Sequence, residues 1–232
     1  MSDTKQSWQA VLLDLDGTLL DSLPDLAAAA NAMRVDMGLE ALPASEIGTF
    51  IGKGVDVLVA RALTGDINAP LPTADNRFEQ ARHCFYQHYE TLNGQRATLY
   101  DGVLDGLIAL KAQGLALGIV TNKPTVFTLP LLDRMGLAHF MQTVICGDSC
   151  AQRKPDPEPM LVACKNLKST PSRTLAIGDS VNDALSARAA GCWVLAVPYG
   201  YNEGQSVTAL AVDGIVNSVL EASEWLLTHQ PD

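Results

Sequence analysis

The chain has 232 residues, with 16 Lys+Arg against 26 Asp+Glu for a formal net charge of −10, and 47% of it is hydrophobic. A chain this long and this apolar buries roughly 70–75% of its unfolded surface, which excludes a disordered protein and one that needs disulfide or metal staples. Strong acidity without a Lys/Arg cluster argues against nucleic acid as a partner, and no run approaches the ~20 apolar residues of a membrane span.

The start, Met1 to Gln9, is polar and carries no apolar leader, so a cytoplasmic protein without a membrane partner is expected. The first apolar run, Ala10 to Leu15, predicts a buried strand that ends in Asp14-Leu15-Asp16-Gly17-Thr18. Helical periodicity follows over Asp25 to Met37, Ser45 to Phe50, Val55 to Leu63 and Ala74 to Leu92, punctuated by Gly, Pro and Asn. Asp21 and Ser22 are placed to cap the first of these helices.

From Gly102 onward, helix and strand alternate. Helices are predicted at Gly102 to Gln113, Thr125 to Met135, Glu158 to Leu167, Val181 to Ala190 (stopped by Gly191) and Ser218 to Leu227. Strands are predicted at Leu115 to Val120, Thr143 to Cys146, Thr174 to Ile177 and Trp193 to Val197. The tail, Thr228 to Asp232, is expected to fray.

This is an α/β pattern: a Rossmann-like, doubly wound, mostly parallel sheet. About 105 residues separate Asp16 from Thr121, where a βαβ step takes about 30. The surplus predicts an inserted α-helical domain over 21–97, leaving near Leu20 to Pro24 and returning near Ala97 to Gly102, with 1–20 and 98–232 as the core. Five cysteines (Cys84, Cys146, Cys150, Cys164, Cys192) form no C-x-x-C pair and are read as reduced thiols. His83, His88, Trp8, Trp193 and Trp225 are read as packing or surface residues, with no carboxylate partner pattern for the histidines.

In an open α/β sheet, ligands sit outside the carboxyl ends of the strands, and the polar residues gather there. Asp14 and Asp16 follow strand one, and Thr121 and Asn122 follow the next. Gly178, Asp179 and Asp183 follow a later strand, and Lys154 lies in the loop Arg153-Lys154-Pro155-Asp156-Pro157. If strand geometry persists, Asp14 and Asp16 leave one face together. With Asp179 nearby, they would raise one another's pKa unless a cation neutralised them. All-oxygen ligands point to Mg²⁺. Such a metal, with a lysine and hydroxyls, makes a receptor for a phosphoryl group and leaves Asp14 as the nucleophile.

These four segments, Asp14-Leu15-Asp16-Gly17-Thr18, Thr121-Asn122-Lys123, Lys154-Pro155 and Gly178-Asp179-Ser180-Val181-Asn182-Asp183, resemble in order the four motifs of the haloacid dehalogenase superfamily. The insert stands where that family carries a helical cap that governs substrate specificity. The resemblance implies that Asp14 attacks phosphorus to form an aspartyl-phosphate, and that Asp16 protonates the leaving oxygen and then activates water. It implies that Asp14, the main-chain carbonyl of Asp16 and Asp179 hold Mg²⁺, and that Asp183 orients the metal shell. Thr121 and Lys154 would bind phosphoryl oxygens, Thr18 would support the Asp16 region, and Thr18 and Asn122 are carried as substrate contacts. An acid at Asp16 favours phosphate esters over carbon–halogen bonds, because an alkoxide leaving group needs a proton.

The segment Phe50 to Leu58, with Lys53 between Gly52 and Gly54, could take an anion or be a surface turn. Ile51 to Leu63, Thr121-Asn122-Lys123-Pro124 and Pro198-Tyr199-Gly200-Tyr201-Asn202 resemble the bacterial phosphoglycolate phosphatases. That likeness implies 2-phosphoglycolate, a small phosphorylated carboxylic acid, as substrate, with Lys53 a candidate for its carboxylate and a monomer or homodimer as the assembly. Chloride is a further ion the resemblance implies, with no residue pattern to mark its site. A broad sugar-phosphate phosphatase, a pyrophosphatase, a phosphoglucomutase-type phosphotransferase and a noncatalytic interaction protein remain open readings.

Overall fold

The computed structural model describes residues 7–231; the expected polar start at residues 1–6 and the last residue of the tail lie outside them. A six-stranded sheet runs in the order β5 (Thr143–Ile145), β4 (Ala116–Val120), β1 (Ala10–Leu13), β6 (Thr174–Gly178), β7 (Trp193–Ala196), β8 (Gly214–Ile215). Every neighbouring pair is parallel, as the near-continuous apolar runs require of strands covered on both faces. Successive residues of β1 face opposite layers: Val11 and Leu13 join one apolar cluster and Leu12 joins the other. Each fully buried leucine contributes roughly 1.5–3 kcal/mol.

Helices α5 (Val103–Ala112), α6 (Thr125–Arg134) and α9 (Val219–Thr228) supply side chains to the first layer. Helices α7 (Glu158–Leu167) and α8 (Val181–Ala190) cover the second. Gly191, at φ 80°, ends α8 in the left-handed conformation expected of a helix stop. The strand order reverses around β1, between β4 and β6, so the crevice expected of doubly wound sheets opens beyond those three carboxyl ends.

Between β1 and β4 the chain builds α1 (Leu23–Asp36), α2 (Ala44–Gly48), α3 (Val55–Thr64) and α4 (Asn76–Leu92), which share a separate apolar cluster centred on Phe50, Phe85 and Tyr89. The two connections to this helical layer lie side by side as a short antiparallel ribbon, β2 (Leu20–Asp21) against β3 (Thr98–Leu99). Neither of these two-residue strands, nor β8, was expected; each is too short to show periodicity.

The expected capping of α1 holds for Asp21, which accepts from the helix's first N–H, and is corrected for Ser22. Ser22 occupies the N-cap position but its hydroxyl makes no capping bond, and donates instead to Asp16 Oδ1 at 2.6 Å. Asp21 accepts from the Leu23 N–H at 3.2 Å and from the Tyr201 hydroxyl at 2.5 Å. His88 does have a carboxylate neighbour: its Nε2 lies 2.6 Å from Asp36 on the surface of the helical layer. Trp8, Trp193 and Trp225 pack on one another as expected, and all five cysteines are free thiols. Among the described residues no helix is long and apolar enough to cross a membrane.

Candidate active site

Register brings the site together. Leu13 of β1 lies level with Ile119 of β4 and Ile177 of β6, so Asp14, Thr121 and Asp179 emerge at one edge of the sheet. The Asp14 N–H still donates to the Ile177 carbonyl at 3.0 Å. Regular strand geometry then ends at Leu13, and Gly17 turns the chain at φ 89°. The premise of a strand persisting through Asp16 is therefore corrected. Both carboxylates still reach one cavity, but they find different cations.

Lys154 is buried, and all three of its N–H groups are taken. It donates to Asp14 Oδ1 at 2.8 Å, Asp183 Oδ1 at 2.6 Å and the Val120 carbonyl at 2.6 Å. Burial alone would lower the Lys154 pKa; attraction by Asp14 and Asp183 reverses this and raises it. Burial pushes Asp14 up to about 7 against the pull of Lys154, with Asp183 adding to the rise. Asp179 is raised by burial and then by Asp14 and Asp183. One lysine does not balance three carboxylates.

Asp14, Asp179 and Asp183 each offer an oxygen, with these atoms within 4.8 Å of one another. The donor set is all oxygen, with no His or Cys, which fits a hard divalent cation. Glycines keep the space open: a Cβ at Gly17 or Gly200 would strike Asp179, and one at Gly178 would strike Asp183. Asp183 is also held from behind, accepting from the Ser180 N–H at 3.1 Å and its hydroxyl at 2.6 Å at the start of α8. The Asp16 carboxylate stands outside this cluster.

Thr18, expected near substrate, has no exposed surface and donates to Asp179 Oδ1 at 3.0 Å. A hydroxyl enclosed in this way braces a carboxylate and touches no ligand, so that expectation is corrected. The Tyr201 N–H donates to the other Asp179 oxygen at 2.5 Å, which gives the segment Pro198 to Asn202 its place behind the cluster.

Thr121 and Asn122 line the cavity. The Asn122 amide nitrogen is already committed, however, donating to the Gly52 carbonyl at 3.0 Å and the Lys154 carbonyl at 2.9 Å. Asn122 thus ties the helical layer to the Lys154 loop and has no amide hydrogen left for a ligand. Asn182 also lies near Gly52, its amide nitrogen 3.4 Å from the same carbonyl. Lys53 is not on the cavity wall: its Nζ lies 2.7 Å from Glu203, which also pairs with Arg61 at 2.7 Å. The sequence reading of Lys53 as a substrate cation therefore lacks a place in this arrangement.

One cavity residue escaped notice. Lys123, inside the motif Thr121-Asn122-Lys123, is buried with Nζ 3.1 Å from both Asp16 oxygens and 2.6 Å from the Tyr89 hydroxyl of α4. Burial lowers its pKa, and Asp16 and Tyr89 more than restore it. The signal was a lysine in an otherwise polar motif loop, but its partners lie 107 and 34 residues away along the chain.

A family model described as haloacid dehalogenase-like hydrolase matches residues 11–197. A phosphoglycolate phosphatase of Nitrosospira multiformis is 47% identical over 94% of this chain and 95% of its own length. One of Thiobacillus denitrificans is 45% identical over 93% and 94%. A crystal structure described as a predicted phosphoglycolate phosphatase of Haemophilus somnus superposes with a TM-score of 0.88 at 34% identity, covering 96% of this chain and 98% of that one. The four motif segments, the sheet order and these matches agree, and the chain belongs to the haloacid dehalogenase-like hydrolases.

Proposed function

We propose that this protein hydrolyses 2-phosphoglycolate to glycolate and phosphate, with residues 1–20 and 98–232 as the catalytic core and 21–97 as a cap that selects the substrate. The observation that carries the chemistry is the separate partnering of two carboxylates on one cavity, Asp14 on Lys154 and Asp16 on Lys123. The one is set up as a nucleophile and the other as a proton carrier, and the relatives' names supply the ester.

Asp14 attacks phosphorus, and the bond to the glycolate oxygen breaks. Asp16 gives that oxygen a proton, so the alkoxide leaves as an alcohol. Water then attacks the phosphorus of the aspartyl-phosphate, Asp16 takes the water's proton, and Asp14 is restored. Lys154 and the Thr121 hydroxyl offset phosphoryl charge, and Asn122 holds the loop that carries Lys154. Asp14, Asp179 and the main-chain carbonyl of Asp16 would hold Mg²⁺, with Asp183 orienting that shell. When bound, the ion supplies charge compensation to the phosphoryl oxygens.

The test is phosphate release from 2-phosphoglycolate, pyrophosphate and several sugar phosphates, with and without Mg²⁺, using Asp14→Asn as the blank. The expected result is Mg²⁺-dependent release with 2-phosphoglycolate preferred and Asp14→Asn inactive. Faster turnover of pyrophosphate or a sugar phosphate would overturn the substrate, and an active Asp14→Asn would overturn the mechanism.

A further inference from the structure

The reading of 2-phosphoglycolate as substrate leaves its carboxylate without a partner, because Lys53 is occupied by Glu203 away from the cavity. We propose, resting on that reading, that Lys123 binds the substrate carboxylate and that Tyr89 of the helical layer holds Lys123 in place to do so.

The cavity is small, about 40 Å³, and lies between the sheet's carboxyl edge and the start of α3. Its lining combines the charged Asp14, Asp16 and Lys123 with the apolar Ile51, Val55 and Leu58. Among the described residues on its wall, Lys123 is the one cation.

The shape of the substrate narrows the choice further. In a glycolate ester a single methylene separates the leaving oxygen from the carboxylate, so the carboxylate oxygens lie only about 3 Å from the oxygen that Asp16 protonates. A cation for that carboxylate must stand beside Asp16, and Lys123 Nζ does, at 3.1 Å from both of its oxygens.

Donor capacity also fits. An ammonium has three N–H groups. Tyr89 takes one at 2.6 Å, and the two Asp16 oxygens, each at 3.1 Å, take the others in longer contacts. A ligand carboxylate takes over one of these longer contacts. Lys154, by contrast, is held by three short ones, at 2.6 to 2.8 Å.

The Lys123 side chain is 2% exposed, so its charge acts in a nearly dry setting where charge-assisted hydrogen bonds are strong. A site built this way rejects a neutral analogue, because binding one would leave the donor unpaired. Tyr89 is fully buried, and Phe85 and Phe127 pack against its ring. The anchor of the selecting cation therefore comes from the helical layer and the cation itself from the core.

The experiment compares kcat/KM for 2-phosphoglycolate and for ethyl phosphate, which keeps the two-carbon leaving group and lacks the carboxylate. Wild type favours phosphoglycolate. Lys123→Met lowers that preference ratio by about 100-fold, largely through KM. Tyr89→Phe, which keeps the cation and removes its anchor, lowers the ratio several-fold, and Lys53→Ala leaves it unchanged. Equal losses on both esters in Lys123→Met, an unchanged ratio in Tyr89→Phe, or a collapsed ratio in Lys53→Ala would each overturn the proposal. A wild-type protein that does not prefer phosphoglycolate would overturn the substrate reading itself, and that result is visible before any residue is changed.

Discussion

Two carboxylate sites in this chain are withdrawn from water and satisfied in opposite ways. Asp25, at the root of α1, is fully buried and accepts three backbone N–H groups, from Gly94 at 2.9 Å, Arg96 at 2.9 Å and Ala97 at 3.1 Å. Asp14, Asp179 and Asp183 crowd one another around a single lysine, and burial and repulsion raise the pKa of Asp14 and Asp179. Asp25 fastens the returning chain to the first helix and has no unmet demand. The cluster is held in a state that a bound cation would relieve. Burial of an acid therefore does not mark function; crowding without compensation does.

The contrast can be tested by substitution and by pH. Lys154→Met removes the cluster's internal cation and is expected to lower kcat/KM by about 10³-fold or more, on the order of 4 kcal/mol on the barrier, in a phosphate-release assay. A loss under tenfold would show that the lysine is a packing residue like Asp25. Asp25→Ala strands three backbone donors and should cost about 3 kcal/mol in chemical denaturation while leaving kcat on the folded fraction within about twofold. If it abolished turnover at full folding, the two sites would not be different in kind.

The smallest expected effect is in the metal-free protein. Burial pushes the folded Asp14 carboxyl up to about 7, above the ordinary carboxylate range, so between that range and 7 the folded state binds more protons than the unfolded one. Stability must then fall as pH rises through that window, from about pH 5 to about pH 7.5. Added Mg²⁺ should restore more stability at pH 7.5 than at pH 5. A metal-free melting curve that is flat or rises with pH would break the reading of the cluster as under-compensated.

Five of the six sheet strands were legible because each is a short apolar run ending in a polar motif; the two-residue β8 was not. Ala10–Leu13, Ala116–Val120, Thr143–Ile145, Thr174–Gly178 and Trp193–Ala196 all fall within a residue or two of their expected bounds. The conjunction of Asp14, Thr121, Lys154 and Asp179 was legible for the same reason, since parallel register aligns their strands. The partners of each charge were not. Asp16 meets Lys123, Lys53 meets Glu203, and Thr18 meets Asp179 through long-range packing that no local pattern encodes. Lysine type and loop position are equally suggestive for Lys53 and Lys123, and only the three-dimensional neighbourhood separates them.

The β2–β3 ribbon has a consequence for how such a molecule can be rearranged. Because the helical layer leaves and re-enters the sheet domain through two hydrogen-bonded neighbours, Leu20 opposite Leu99 and Asp21 opposite Thr98, its ends are already joined in space. Closing that gap with a short turn would cost the remaining chain little loop entropy. The intervening helices are thus a cassette that can be swapped for another of different shape without re-threading the sheet, so one set of strand ends can be fitted with many lids.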